Sequence, residues 1–287
     1  MSILVNINGE YFDQKSAKIS VFDRGFLSGD AVFEVIRTYG GKPFMLKEHL
    51  DRMKHSAEKI SLSLPHSIAR IGSLAKKCCQ RAGNSESMIR VVVTRGEGPM
   101  TLNWDDAKEP NLIIIVVPLV PYPEHCYRDG VSLFIVGRRK IPSYSLDPGI
   151  KSNGYLLNIL AQNEAKKLGG SEAILLNHRG EVAECTQSNL FAVIDGELLT
   201  PPLSAGILGG ITRQVTLKIS PRAGSPCRER IFYPEDLYGA QEVFITSTRR
   251  DIMPVAEIDG KRIGTGKPGK MTQQLMREFE RFAQSQR

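Results

Sequence analysis

Asp147-Pro-Gly-Ile-Lys151-Ser-Asn-Gly-Tyr155 opens, and Gly206-Ile-Leu-Gly209-Gly210-Ile211-Thr212-Arg213 closes, the stretch around which the chain is organised. Lys151 stands at the end of an apolar segment, in a loop shaped by Pro148 and Gly149 and just before a predicted helix. There an amine can be withdrawn from bulk water and serve as a nucleophile. Between the two ends lies Gly180-Glu-Val-Ala-Glu184-Cys-Thr-Gln-Ser-Asn-Leu-Phe191, which reads as two strands. A carboxylate on such a strand needs a partner if it faces inward. Gly209 and Gly210 precede a second predicted helix; glycine permits close backbone approach, and the first N–H groups of a helix receive anions. Singly, each feature is common. In this order they supply an amine, an acid for a pyridinium nitrogen and a phosphate cradle, which are the requirements of pyridoxal 5'-phosphate.

Outward from this centre, the second half of the chain alternates short strands and helices. Strands are predicted at residues 131–136, 173–176, 181–184, 190–194, 197–200 and 243–246, with a hairpin around Asp259-Gly260. Helices are predicted over 154–168, 210–219 and from about Lys270 onward. The first of these has Leu156, Ile159, Leu160 and Ala165 as its core face and Gly169-Gly170 as its cap. The N-terminal half begins with a hairpin over 1–24 and a Gly-punctuated loop from Asp23 to Asp30. A strand at 31–39 follows, then helices over 47–60 and 67–81 and strands at 88–94 and 111–119. Pro118, Pro121 and Pro123 interrupt both ladder and helix and mark a boundary. The division is a small α+β domain over 1–120, a linker over 121–128 and a larger β-rich domain over 129–287 that carries Lys151. Runs of antiparallel strands with outer helices indicate an α+β class, with no internal repeat.

Composition excludes several functions. The net charge of +7 could point to nucleic acid, but the 38 Lys and Arg are scattered among 31 Asp and Glu with no clustered basic face. A nucleic-acid-binding module is therefore not expected. The five cysteines are odd in number and lack ligand spacing, and His49 and His55 do not share a helical face, so no metal site is expected. No segment approaches the ~20 apolar residues that span a bilayer, and no basic-then-apolar leader opens the chain. These features indicate a soluble cytoplasmic protein.

The residues quoted above resemble those of the class IV aminotransferases, the fold-type IV pyridoxal-phosphate enzymes. That group includes branched-chain amino acid aminotransferase, D-amino acid aminotransferase and aminodeoxychorismate lyase. The resemblance runs from Ser20-Val-Phe-Asp-Arg24-Gly25 to Ile258-Asp-Gly260 and is densest from Lys151 to Arg213. It implies a two-domain fold and a homodimer in which a loop of the neighbouring subunit closes the site. It makes Lys151 the lysine that bonds the cofactor and shuttles a proton, and Glu184 the partner of the pyridine nitrogen. Tyr155 matches a tyrosine near the phenolic oxygen. Arg52, Ile211, Thr212 and Thr248 match the phosphate cradle. The implied chemistry is ping-pong transamination between an amino acid and a 2-oxo acid such as 2-oxoglutarate.

Departures from the family patterns concern the substrate. Phe33-Glu-Val-Ile-Arg37 has valine where branched-chain enzymes usually have glycine. Met88-Ile-Arg90 stands where they have Tyr-x-Arg. The Arg-x-His trap of D-amino acid enzymes is missing near Gly98-Pro-Met-Thr101, and Arg249-Arg250 replaces a small pair. Phe33, Arg90, Arg249 and Arg250 are accordingly the candidate substrate contacts, since a guanidinium forks onto a carboxylate. Val91-Val-Val-Thr-Arg-Gly96 and the Lys151 region are branched-chain-like. A D-amino acid enzyme and an aminodeoxychorismate lyase are the alternatives.

Overall fold

A computed structural model describes residues 2–107 and 109–286. The chain forms two compact units: residues up to Val120 together with Ile150–Gly154, and Pro121–Gly149 together with Tyr155–Ser285. The first contains β1 (Leu4–Ile7), β2 (Glu10–Phe12), α1 (Arg24–Ser28), β3 (Ala31–Tyr39), β4 (Lys42–Pro43), α2 (Leu46–Lys59), α3 (Ile68–Ala82), β5 (Ser87–Thr94) and β6 (Asn111–Pro118). Its six-stranded sheet has the order β2-β1-β6-β5-β3-β4, with every pairing antiparallel. Alternation decides which face is which. Val32 and Ile36 of β3, Ile89, Val91 and Val93 of β5, and Leu112, Ile114 and Val116 of β6 pack with Leu50 and Met53 of α2 and Ile71 and Leu74 of α3. Ser67 caps α3 by accepting the Arg70 N–H, and Gly83 ends it in the left-handed region.

The second unit continues with α4 (Glu124–Asp129), β7 (Val131–Arg139), α5 (Leu156–Lys167), β8 (Glu172–Leu176), β9 (Val182–Cys185), β10 (Asn189–Ile194), β11 (Glu197–Thr200) and α6 (Ile211–Ile219). It ends with β12 (Cys227–Glu229), α7 (Pro234–Tyr238), β13 (Glu242–Ser247), β14 (Asp251–Ile258), β15 (Lys261–Arg262) and α8 (Lys270–Ser285). The sheet order is β12-β11-β10-β13-β14-β7-β8-β9, with β15 paired to β14. Both faces of the sheet are covered at β8, β9 and β10, where every residue is buried, Glu172 and Glu184 included.

Four local expectations need correction. The second sheet is mixed, since β7 pairs parallel to both β14 and β8, and β11 parallel to β12. The Asp23 loop holds a one-turn helix, because the Asp23 carboxylate accepts the Gly25 N–H and also binds Thr94 and Asn111. The 121–128 linker contains α4, whose N-cap is Pro123: proline is tolerated at a helix start, so it begins an element here. Finally, α5 buries Ala161 and Ala165 against Phe134, Val136, Ala173 and Leu175, leaving Leu156 at 68 % exposure and Ile159 and Leu160 also exposed. Close helix–sheet approach favours the small side, against the expected Leu/Ile face.

Candidate functional site

In the first unit, Lys151 is held through its backbone. Its carbonyl accepts the Phe33 N–H at 3.0 Å, the Asn153 N–H donates to the Ala31 carbonyl at 3.0 Å, and Ser152 bridges Val32 antiparallel. From α2, Ser56 Oγ accepts the Lys151 N–H at 3.1 Å. The half-buried side chain brings Nζ within 4.6 Å of the Phe33 ring centroid. Arg90, on the same face of the sheet as Phe33, stacks its guanidinium 3.8 Å from that centroid and donates Nη2–H to Asn153 Oδ1 at 3.3 Å. The Lys151 segment, expected in the second region, thus clusters with the first.

On the opposite face of β3, Glu34 lies fully buried. Arg52 Nε donates to its Oε1 at 2.6 Å and Nη2 to its Oε2 at 2.7 Å, and His49 Nδ1 meets Oε2 at 2.7 Å. Burial opposes charge on Glu34, but the Arg52 guanidinium and the His49 hydrogen bond outweigh it and hold the carboxyl at about 2. Burial pushes His49 below its ordinary range despite Glu34. The imidazole is therefore neutral and donates its Nδ1–H to the carboxylate.

In the second unit, Glu184 sits on β9 with each oxygen engaged. Lys140 Nζ lies 2.7 Å from Oε1, while Oε2 accepts from Asn189 Nδ2 at 3.0 Å and the Leu208 N–H at 3.1 Å. Asn189 Nδ2 also donates to the Leu208 carbonyl, which ties β10 to the approach of α6. Gly210 is the N-cap of α6 and has no side-chain cap bond; a Cβ there would lie 2.0 Å from Asn189 Oδ1. Glycine is thus what lets this helix start beside Asn189. Ile211 and Thr212 are buried in the first turn. Thr246, paired with Asn189 across the sheet, buries an Oγ1 without a hydrogen-bond partner among the described residues, and Thr248 follows half-buried. A helix start, an orphaned hydroxyl and a fixed carboxylate suit a phosphorylated pyridine ring, so these residues fit pyridoxal 5'-phosphate.

The remaining sequence-predicted residues divide. Tyr155 is half-buried at the N-cap of α5. Arg249 is exposed, 4.9 Å from the Tyr122 ring centroid. Arg250 is buried and donates Nη1–H to Glu172 Oε2 at 2.7 Å and to Ser188 Oγ at 2.9 Å. Its Nη1 is thus engaged in an internal ion pair beside Tyr122, whose ring centroid lies 5.1 Å from the guanidinium. Arg52 is 12 % exposed in its side chain.

Sequence reasoning missed Glu34, His49, Lys140, Asn189 and Glu172. A signal existed for Glu34: it shares the parity of Val32 and Ile36, so a charge falls on the apolar stripe and demands a partner. Lys140 carries an expected effect of its own. A Lys140→Met variant removes the cation from a nearly buried pair and should lower cofactor-free stability by about 3 kcal/mol. Urea unfolding checks this, and an unchanged midpoint would show that the pair contributes nothing net.

A sequence model described as amino-transferase class IV matches residues 31–258. A Methanocaldococcus jannaschii protein named as a putative branched-chain-amino-acid aminotransferase is 39% identical over 276 residues, which is 96% of this chain and 95% of the relative. The D-alanine aminotransferase of Staphylococcus epidermidis is 36% identical over 98% of both chains. Among solved structures, a branched-chain amino acid aminotransferase of T.th. with pyridoxamine 5'-phosphate superposes with a TM-score of 0.94 at 29% identity, covering 99% of this chain and 95% of that one. The Escherichia coli branched-chain enzyme gives 0.93 at 29% identity, over 96% and 93%. With the family matched across most of its length and the two-unit α+β architecture shared, this chain belongs to the class IV aminotransferases and is a transaminase.

Proposed function

We propose that the chain binds pyridoxal 5'-phosphate and transfers the amino group of a branched-chain L-amino acid to a 2-oxo acid such as 2-oxoglutarate. The carrying observation is Lys151, fixed by its backbone to β3 with its amine over the Phe33 ring and Arg90 against the same ring. When bound, the cofactor supplies the electron sink for breaking the bond to the substrate's α-hydrogen. Lys151 Nζ would be the base that takes and holds that proton. Glu184, oriented by Lys140, Asn189 and the Leu208 N–H, would receive the pyridine N–H. The N–H groups at Ile211 and Thr212, with the Thr248 hydroxyl and Arg52, would hold the phosphate, and Tyr155 would stand by the phenolic oxygen. Arg90 receives a substrate carboxylate, with Phe33 as the apolar floor; exposed Arg249 is a further cationic contact.

Support for the donor comes from the relatives named as branched-chain enzymes. A D-amino acid donor is the second reading, favoured by the D-alanine aminotransferase relative. We assign a homodimer, because Phe22 and Phe26 of the first unit and Leu156 and Ile159 of the second expose large apolar side chains that a partner surface would cover. Five free thiols fit a reducing cytoplasm. No described helix is long and apolar enough to cross a membrane.

An absorbance scan of the cofactor-loaded protein tests the reading. The visible band of lysine-bound cofactor is expected to bleach with L-leucine and to resist D-alanine. Bleaching by D-alanine alone moves the assignment to the D-amino acid group. A band that neither donor touches favours the lyase, and the absence of any band removes the cofactor reading.

A further inference from the structure

We propose that Glu34 is a positioning residue: with His49, it fixes the Arg52 guanidinium in the orientation that receives the cofactor phosphate. The inference rests on the proposed role of Arg52. It starts from the three side chains and their elements. His49 and Arg52 are three residues apart, on one face of α2, and that face meets Glu34 on the helix-facing side of β3. Arg52 is bound through Nε and Nη2 together, a fork contact that sets the plane of the guanidinium as well as its distance. Neutral His49 engages the same carboxylate at Oε2 and adds no charge.

As a stabilising device the arrangement is poor, since apolar residues of similar volume match or exceed a buried ion pair. What it does provide is geometry. Ser56, one turn beyond Arg52 on α2, brackets the Lys151 N–H, and Phe33, next to Glu34 on β3, binds the Lys151 carbonyl. One helix face and one strand thus carry both the arginine and the lysine. Glu34 registers the arginine against the frame that holds the lysine.

The test compares two ligands of the cofactor-free protein, pyridoxal 5'-phosphate and pyridoxal, which lacks the phosphate. Dissociation constants are measured by fluorescence titration of wild type, Arg52→Gln, Glu34→Gln and Glu34→Asp, with unfolding midpoints recorded alongside. Glu34→Gln is expected to weaken the phosphorylated ligand about tenfold, the scale of one charge-assisted hydrogen bond, while pyridoxal changes less than about twofold. Glu34→Asp keeps the counter-charge, and so the fold, but withdraws the carboxylate by one methylene; a loss of about threefold, again confined to the phosphorylated ligand, is expected. If Arg52→Gln collapses the preference for phosphate but Glu34→Asp leaves it intact, Glu34 is structural only and the proposal fails. Equal weakening of both ligands in the Glu34 variants has the same meaning. If Arg52→Gln itself leaves the preference unchanged, the role given to Arg52 is what fails.

Discussion

Replacing Lys151 with alanine is expected to remove the visible band of the loaded protein and to cut transamination by about 10³-fold or more, since loss of a positioned acid–base group alone costs ~10²–10⁴. The fold should survive. The segment is anchored by main-chain groups and a neighbour's side chain: the Phe33 N–H to the Lys151 carbonyl, the Asn153 N–H to Ala31, and Ser56 Oγ accepting the Lys151 N–H. Alanine keeps all three. Single-turnover kinetics, absorbance and far-ultraviolet circular dichroism together check the claim. Residual turnover within tenfold of wild type would place the proton transfer elsewhere.

Acid should unfold the protein through the Glu34–His49 pair. In the unfolded chain Glu34 titrates near its ordinary 4.5, whereas in the fold burial is outweighed by Arg52 and His49 and the value falls to about 2. The unfolded state therefore binds the proton first as pH falls. The contribution is complete above about 4.5 and is lost on descending to about 2, a span worth about 3 kcal/mol. His49 acts in the same direction. Its folded value lies below its ordinary 6.5 because the ring is buried, so its share is full above 6.5 and erodes below it. Urea midpoints followed from pH 7 to pH 3 should fall, first shallowly and then steeply. In Glu34→Gln the steep limb should vanish, and a wild-type midpoint flat between pH 5 and 3 would contradict the account.

Much of this is legible in the chain because it is local. Apolar periodicity places α2, α3 and α8 and most strands of both sheets, though not the short edge strand β12. The Gly209-Gly210 pair announces the start of α6, which opens at Ile211. What escapes a sequence reading depends on distant neighbours. Lys140 meets Glu184 44 residues away, and Arg250 meets Ser188 62 residues away. No spacing rule connects such positions, so nothing in the chain announces the ion pair of Arg250 with Glu172. The α5 face misleads for a related reason. Hydrophobic size points to its leucines and isoleucine, whereas the sheet beneath accepts only Ala161 and Ala165 at close range. Glu34 is the intermediate case, because its parity shows that it is buried but not that Arg52 and His49 meet it.

The bonding of the lysine segment to β3 also bears on association. On one side β3 is covered along Ala31–Arg37 by β5, but on the other β4 reaches only Thr38 and Tyr39. Lys151–Asn153 fills part of that open flank, occupying the Phe33 N–H and the Ala31 carbonyl. Exposed strand edges recruit other strands. A protease nick in the loop from Pro142 to Gly149 would let this cover detach, and the bared edge of β3 would become a template for chain-to-chain pairing. Lys151–Asn153 is thus expected also to guard that edge against aggregation.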